Sequence, residues 1–193
     1  MSASLEEVRA RNLRTVALLA ALFLIPLLLA FLMYYGDAWR PGGRTNHGEL
    51  ILPARALPRV SAVYRPETFT HTWSLVYIGA GACDESCRNA LFVMRQTRLT
   101  LNNDMNRVQR VFLATGAQRA QEFLDREHAG LVVIDATADA AARLLAAFPA
   151  NDRAHAIFIV DPRGNLMERF DARQNPRGLR EDLTKLLKLS HIG

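Results

Sequence analysis

The feature that most constrains this chain is the run from Thr15 to Tyr35, "TVALLAALFLIPLLLAFLMYY", in which no residue is charged. At 1.5 Å per residue such a run is long enough, as a helix, to cross a hydrocarbon core of roughly 30 Å. The sequence therefore predicts one transmembrane helix over residues 15–35. Pro26 is compatible with it, because neighbouring groups in a membrane helix can satisfy the carbonyl that proline leaves free. Tyr34, Tyr35 and Trp39 stand where an aromatic belt would meet the far interface. The competing reading is a cleaved signal peptide, whose apolar core is typically about 7 to 15 residues and ends at small residues. This run is longer and ends in bulky Tyr34 and Tyr35, so an uncleaved anchor is expected. Arg9, Arg11 and Arg14 precede the run, whereas Arg40 and Arg44 follow it more loosely. By the positive-inside rule, residues 1–14 are then cytoplasmic and the rest of the chain lies outside.

The remainder of the 193 residues is enough for one modest domain. The formal charge of +5 is carried by arginines spread along the chain, with Lys185 and Lys188 as the only lysines. No basic block is interleaved with aromatics, so nucleic acid is not implied. The charge suits a solvated surface, or a domain lying near an anionic membrane.

Residues 36–49 read as a Gly- and Pro-rich linker without helical periodicity. "GELILP" then predicts a strand, with Pro53 and Pro58 marking edge positions. From Trp73 strands and helices alternate: "TWSLVYIGA", a helix from Cys83 to about Leu101, "VQRVFLATG", and "AQRAQEFLDREHAG", stopped by Gly130. "LVVIDAT", "ADAAARLLAAFPA", a strand "HAIFIVDPRG" turning into the hairpin "NLMERFDA", and an amphipathic helix "NPRGLREDLTKLLKLS" complete the pattern. That order predicts an α/β sandwich around a central mixed sheet.

The two cysteines, Cys83 and Cys87, lie at the start of the first predicted helix of this domain in "CDESC". Cys83 falls at or near the helix N-terminus, where unpaired N–H groups favour a thiolate. Asp84 and Glu85 suit a first helical turn but oppose a further negative charge on sulfur. Cys83 is assigned as the more exposed thiol. An i, i+4 pair on one helical face puts the Cα atoms about 6 Å apart, within the roughly 4.4–6.8 Å that disulfides span. The same pair could bracket a soft ion, and thiolates select Cu(I); two cysteines alone do not close a zinc site.

"CDESC" and "HAIFIVDPRGN", set in this strand and helix order behind a single span, resemble the Sco/SenC family of cytochrome c oxidase assembly proteins, within the thioredoxin-like superfamily. The resemblance runs from about Leu50 to the end of the chain. "NHGELILP" also resembles small membrane-anchored proteins encoded among bacterial oxidase assembly factors. The resemblance implies a thioredoxin-like domain over residues 50–193, in the periplasm and tethered to the bacterial inner membrane. It implies Cys83 and Cys87 as redox residues, Cu(I) as cargo, and an oxidase subunit or another assembly factor as partner. His155 becomes the candidate third copper ligand beside Cys83 and Cys87. It occupies the slot where TlpA-type relatives place a cis-proline. The family's own copper histidine sits two residues earlier, at Arg153, but a two-residue shift along a strand keeps the same face. Asp84 stands where the family usually has proline.

Three functions follow. The chain is a Sco-like assembly factor that carries Cu(I) or reduces the target's cysteines, a general envelope thiol–disulfide oxidoreductase in which Cys83 attacks and Cys87 resolves, or a non-catalytic interaction module. A static disulfide is the structural alternative for the cysteines, though so small a loop would constrain the unfolded chain little. A hydrogen-bonded loop histidine is the alternative for His155. His47, His71 and His128 read as isolated surface or hydrogen-bonded side chains, His191 as terminal, Met94 as core, and "DPRG" as a turn.

Overall fold

In a computed structural model of the chain, residues 5–35 and 45–190 are described. Trp39, Arg40, Arg44, His191 and the linker residues 36–44 lie outside the described residues. The chain divides into two compact units, residues 1–44 and 45–193.

The first unit contains helix α1, Leu5–Tyr35. Within it Arg9–Tyr35 is long and apolar enough to cross a membrane, with a mean hydropathy of 2.9 over its best window. Its large apolar side chains, from Leu13 through Phe23 to Tyr35, are exposed, as a lipid-facing helix requires. Pro26 lies inside the helix without ending it.

The second unit is built on six strands: β1 (Glu49–Ala56), β2 (Trp73–Ala80), β3 (Val108–Thr115), β4 (Leu131–Asp135), β5 (Ala156–Val160) and β6 (Asn165–Asp171). They form one sheet in the order β1-β6-β5-β2-β3-β4. β2, β3 and β4 are parallel, whereas β5 runs antiparallel to β2 and β6 antiparallel to β5 and β1. Parallel neighbours need crossovers, supplied by α2 (Glu85–Leu99) and α3 (Gln121–Glu127). α4 (Ala142–Ala147) leads into β5, and α5 (Pro176–Leu189) closes the chain. The expected central mixed sheet is present. β1 is an edge strand, and its register against β6 shifts between Leu50 and Arg55, around Pro53 and the cis Leu52–Pro53 bond. Proline has no N–H for the ladder, so its place is such an edge irregularity.

β2 and β5 are buried almost throughout, because layers cover both faces. On one face Leu75, Tyr77, Ile157, Ile159 and Phe170 pack with Leu91 and Met94 of α2 and with Leu179, Leu183 and Leu187 of α5. On the other, Val76, Ile78, Phe158 and Val160 pack with Leu144 of α4 and with Tyr64 and Phe69. Both cysteines belong to the first layer.

Two boundaries differ from the sequence expectation. α2 begins at Glu85, not Cys83, because Asp84 is its N-cap and accepts a hydrogen bond from the Cys87 amide at 2.9 Å. β5 begins at Ala156, because Arg153–His155 form a 3-10 turn.

Candidate functional site

The cysteines lie where central strand β2 hands the chain to α2. The connection is held down at three points. The Gly81 amide donates to the Thr115 carbonyl at 2.7 Å, the Ala120 amide to the Gly81 carbonyl at 2.8 Å, and the Cys83 amide to the Ala80 carbonyl at 3.0 Å. Cys83 has a φ of 52°, the left-handed region that a non-glycine residue seldom occupies. That twist carries its side chain back over the first turn of α2, where Cys83 and Cys87 form a disulfide with Cα atoms 5.0 Å apart. The bridge is thus made between a loop residue and a helix residue, and the expectation of an i, i+4 pair on one helical face is corrected. So is the assignment of Cys83 as an exposed thiol: Cys83 is 2% exposed and Cys87 1%. The β2–α2 turn presses Cys83 into the same core layer as Leu91.

Asp84 is the polar neighbour. Besides the Cys87 amide it accepts from the Ser86 hydroxyl at 2.8 Å. The Cys87 amide and then the Ser86 hydroxyl hold its carboxyl below its ordinary range. Asp84 is therefore a fixed anion at the helix start.

His155 shares with Asp84, Ser86, Asn89 and Arg173 a cavity of about 410 Å3. The turn that carries it is tied to both sides of the site. The buried Tyr77 hydroxyl donates to the Ala154 carbonyl at 3.1 Å, and burial pushes that phenol up to about 12, so it stays a donor. The Ala172 amide donates to the His155 carbonyl at 2.7 Å, while Asn89 of the cysteine helix donates to the Ala172 carbonyl at 3.1 Å. Tyr77 and Asn89 were not singled out by sequence reasoning. An aromatic in a buried strand signals only core, and an asparagine on a helix has no spacing signature.

Arg153 takes no part. Its guanidinium donates to the Leu145, Phe148 and Pro149 carbonyls, capping the α4 end at the opposite layer. The argument that a two-residue shift preserves the face fails here, because residues 153–155 turn with a period near three. Among the described residues no group of three His, Cys, Asp or Glu side chains is placed to hold a metal. With the sulfurs joined, neither is a thiolate, so a copper ion fits only after reduction.

The remaining histidines have separate roles. The His47 amide and ring bond Asp182 of α5 at 2.6 and 3.1 Å, and His71 is exposed. His128 is buried and not at the surface, its ring edge-on to Phe123 and its Nδ1 without a hydrogen-bond partner.

A mixed sheet with a cysteine pair between its central strand and the following helix defines a thioredoxin-like protein. The chain belongs to the family of transmembrane-like, thioredoxin-like C-terminal domains, whose model matches residues 73–190. Among solved structures it is similar to yeast Sco1 with copper bound, at 14% identity and a TM-score of 0.58, covering 77% of this chain and 96% of that one. It is similar as well to the apo Sco1 protein of Thermus thermophilus, at 15% identity and a TM-score of 0.57, covering 76% and 99%. Arabidopsis thaliana ScoI with copper bound gives 13% identity and a TM-score of 0.51, covering 71% and 98%. At such identities the likeness is one of fold. No curated protein matches the chain.

Proposed function

We propose that this chain is a membrane-anchored, Sco-like assembly factor for cytochrome c oxidase whose Cys83–Cys87 pair cycles between dithiol and disulfide. The observation that carries the reading is the disulfide itself, placed at the β2–α2 junction of a thioredoxin-like sheet beside the anionic Asp84. In the forward step a thiolate of the reduced pair attacks a disulfide of the target and forms a mixed disulfide. The second cysteine displaces the target's sulfur. Two electrons and two protons pass to the target, which leaves as a dithiol, and the Cys83–Cys87 bond is restored. Because both sulfurs are buried, exchange needs the Ala80–Asp84 turn to open toward its partner. A second reading keeps Cu(I) as cargo of the reduced pair, with His155 as third ligand. It is supported by the copper bound in the similar yeast and Arabidopsis thaliana proteins. It needs His155 to move toward the reduced sulfurs, because neither cysteine lines the cavity that His155 shares with Asp84. Its place would be the periplasmic face of a bacterial inner membrane.

The test is a redox titration of the full chain in neutral detergent beside an anaerobic Cu(I) titration of its reduced form. The expected result is a two-electron potential above about −300 mV, the level below which structural disulfides fall. Cu(I) binding near one ion per chain, lost in Cys83→Ser, would support the cargo reading. A potential below that level, together with unimpaired oxidase activity in a Cys83→Ser/Cys87→Ser strain, would overturn both readings and leave a structural disulfide in an interaction module.

A further inference from the structure

Away from the cysteines, α2, β3 and the segment after α3 enclose a cavity of about 200 Å3 lined by Arg95, Arg98, Arg110, Arg126 and Glu127. Arg110 is only 4% exposed although it lies on a central strand. Its Nη2 donates to the Ala129 carbonyl at 2.7 Å, but its buried Nη1 has no partner. Arg98 spends its Nε on the Val108 carbonyl at 2.6 Å. Among the described residues no carboxylate pairs with Arg95, Arg98 or Arg110; Glu127 lies 3.1 Å from Nε of Arg126. Burial, and then the charges of Arg98 and Arg95, push the Arg110 guanidinium down. A buried cation with an unmade hydrogen bond, crowded by like charges, is unfavourable unless an anion completes the set. Guanidinium forks are the side chains best matched to phosphate and carboxylate oxygens.

The neighbouring cavity, about 340 Å3, shares Arg95 and Glu127 with the first. Its character differs. Phe92 and Phe123 line it, Phe92 being 53% exposed. Arg88 stacks over Phe123 at 4.4 Å, and buried His128 presents an Nδ1 without a partner. Glu85 stands among its lining residues toward the cysteine end.

We propose that these adjoining cavities form a binding site for an amphiphilic anion. A phosphate or carboxylate head is held by Arg95, Arg98 and Arg110, and the apolar body lies along Phe92 and Phe123. The site uses none of the redox residues, so it stands or falls independently of the function proposed above.

The test is calorimetric titration of the full chain in neutral detergent with inorganic phosphate, hexyl phosphate and hexanol. Hexyl phosphate is expected to bind saturably, one per chain, about tenfold or more tighter than inorganic phosphate. Loss of one charge-assisted contact in Arg95→Gln or Arg110→Gln lowers the affinity by about tenfold or more. Phe92→Ser weakens hexyl phosphate and leaves inorganic phosphate unchanged. Arg110 is packed in the core, so the half-exposed Arg95 carries the test if Arg110→Gln fails to fold. Absence of saturation by hexyl phosphate, or an unchanged affinity in Arg95→Gln, overturns the proposal and leaves the arginines as packing groups. In nanodiscs, competition by phosphatidylglycerol but not phosphatidylcholine identifies a lipid headgroup as the source. Hexyl phosphate binding that is indifferent to the lipid identifies a soluble ligand.

Discussion

At the scale of single residues, Asp84 has two separable effects on the cysteine pair. Its oxygen caps α2 by accepting from the Cys87 amide, and its charge stands beside the sulfur that would become a thiolate. Asparagine keeps the cap and removes the charge. Asp84→Asn is therefore expected to stabilise the reduced form and raise the redox potential, measured against a glutathione buffer, with little change in melting temperature. Asp84→Ala removes the cap as well and should lower stability by about 1 kcal/mol, read by denaturant unfolding. Tyr77→Phe is a third residue-scale change. It deletes the donor to the Ala154 carbonyl. Because Ala154 is exposed its carbonyl can turn to water, so the cost is that of one ordinary hydrogen bond, about 0.5–1.5 kcal/mol. The His155 ring resonances in an NMR spectrum should shift with it, because that bond holds the turn on which His155 sits.

At the scale of elements, the "NHG" stretch acquires a physical account. His47 packs over Gly178 of α5, where an added Cβ would lie 2.8 Å from the His47 Cβ. The amides of His47 and Gly48 both donate to Asp182, and Lys185 of α5 donates to the Thr45 carbonyl. A Cβ on Gly48 would lie 2.1 Å from the Glu168 carboxyl of β6 and 2.9 Å from the Arg169 carbonyl, so Gly48→Ala should detach this segment from α5. Proteolysis near Thr45 would then speed up. Burial, with hydrogen bonding and charge from Asp182, pushes the Glu168 carboxyl up to about 8. Burial pushes Asp182 up too, but the Gly48 amide and the His47 ring and amide outweigh it and hold Asp182 below its ordinary value. Glu168 is thus protonated and Asp182 ionised near neutrality. Between about pH 4.5 and 8 the unfolded chain has lost the Glu168 proton while the folded chain keeps it. Stability from this group is full below that window and is lost as pH rises through about 8, on the order of a few kcal/mol. Glu168→Gln should flatten the dependence of melting temperature on pH across that range. A slope unchanged by the substitution would assign it to other groups.

At the scale of the whole molecule, the two units call for different solvents. α1 exposes apolar side chains along its length, whereas the unit from Thr45 buries two apolar layers around its sheet. The full chain is expected to stay with membranes after alkaline carbonate extraction. A chain starting at Thr45 is expected to be soluble and to keep the Cys83–Cys87 bond, checked by thiol counting under denaturing conditions.

The amino-acid sequence by itself determined the apolar helix, the order of strands and helices, and the position of the cysteine pair between the first strand and first helix of the alternating pattern. Each depends on periodicity or on residue types within a few positions of one another. Tertiary structure alone decided that Cys83 leaves the helix and is buried, that Arg153 caps the opposite layer while His155 faces Asp84, and that Arg110 joins Arg95 and Arg98 in one cavity. The place of His155 depends on contacts between residues tens of positions apart, from Tyr77 to Ala154 and from Asn89 to Ala172. Arg153 is turned away by bonds to carbonyls a few positions back and by a 3-10 turn that replaces the strand period, and Cys83 is left outside the helix by the Asp84 cap.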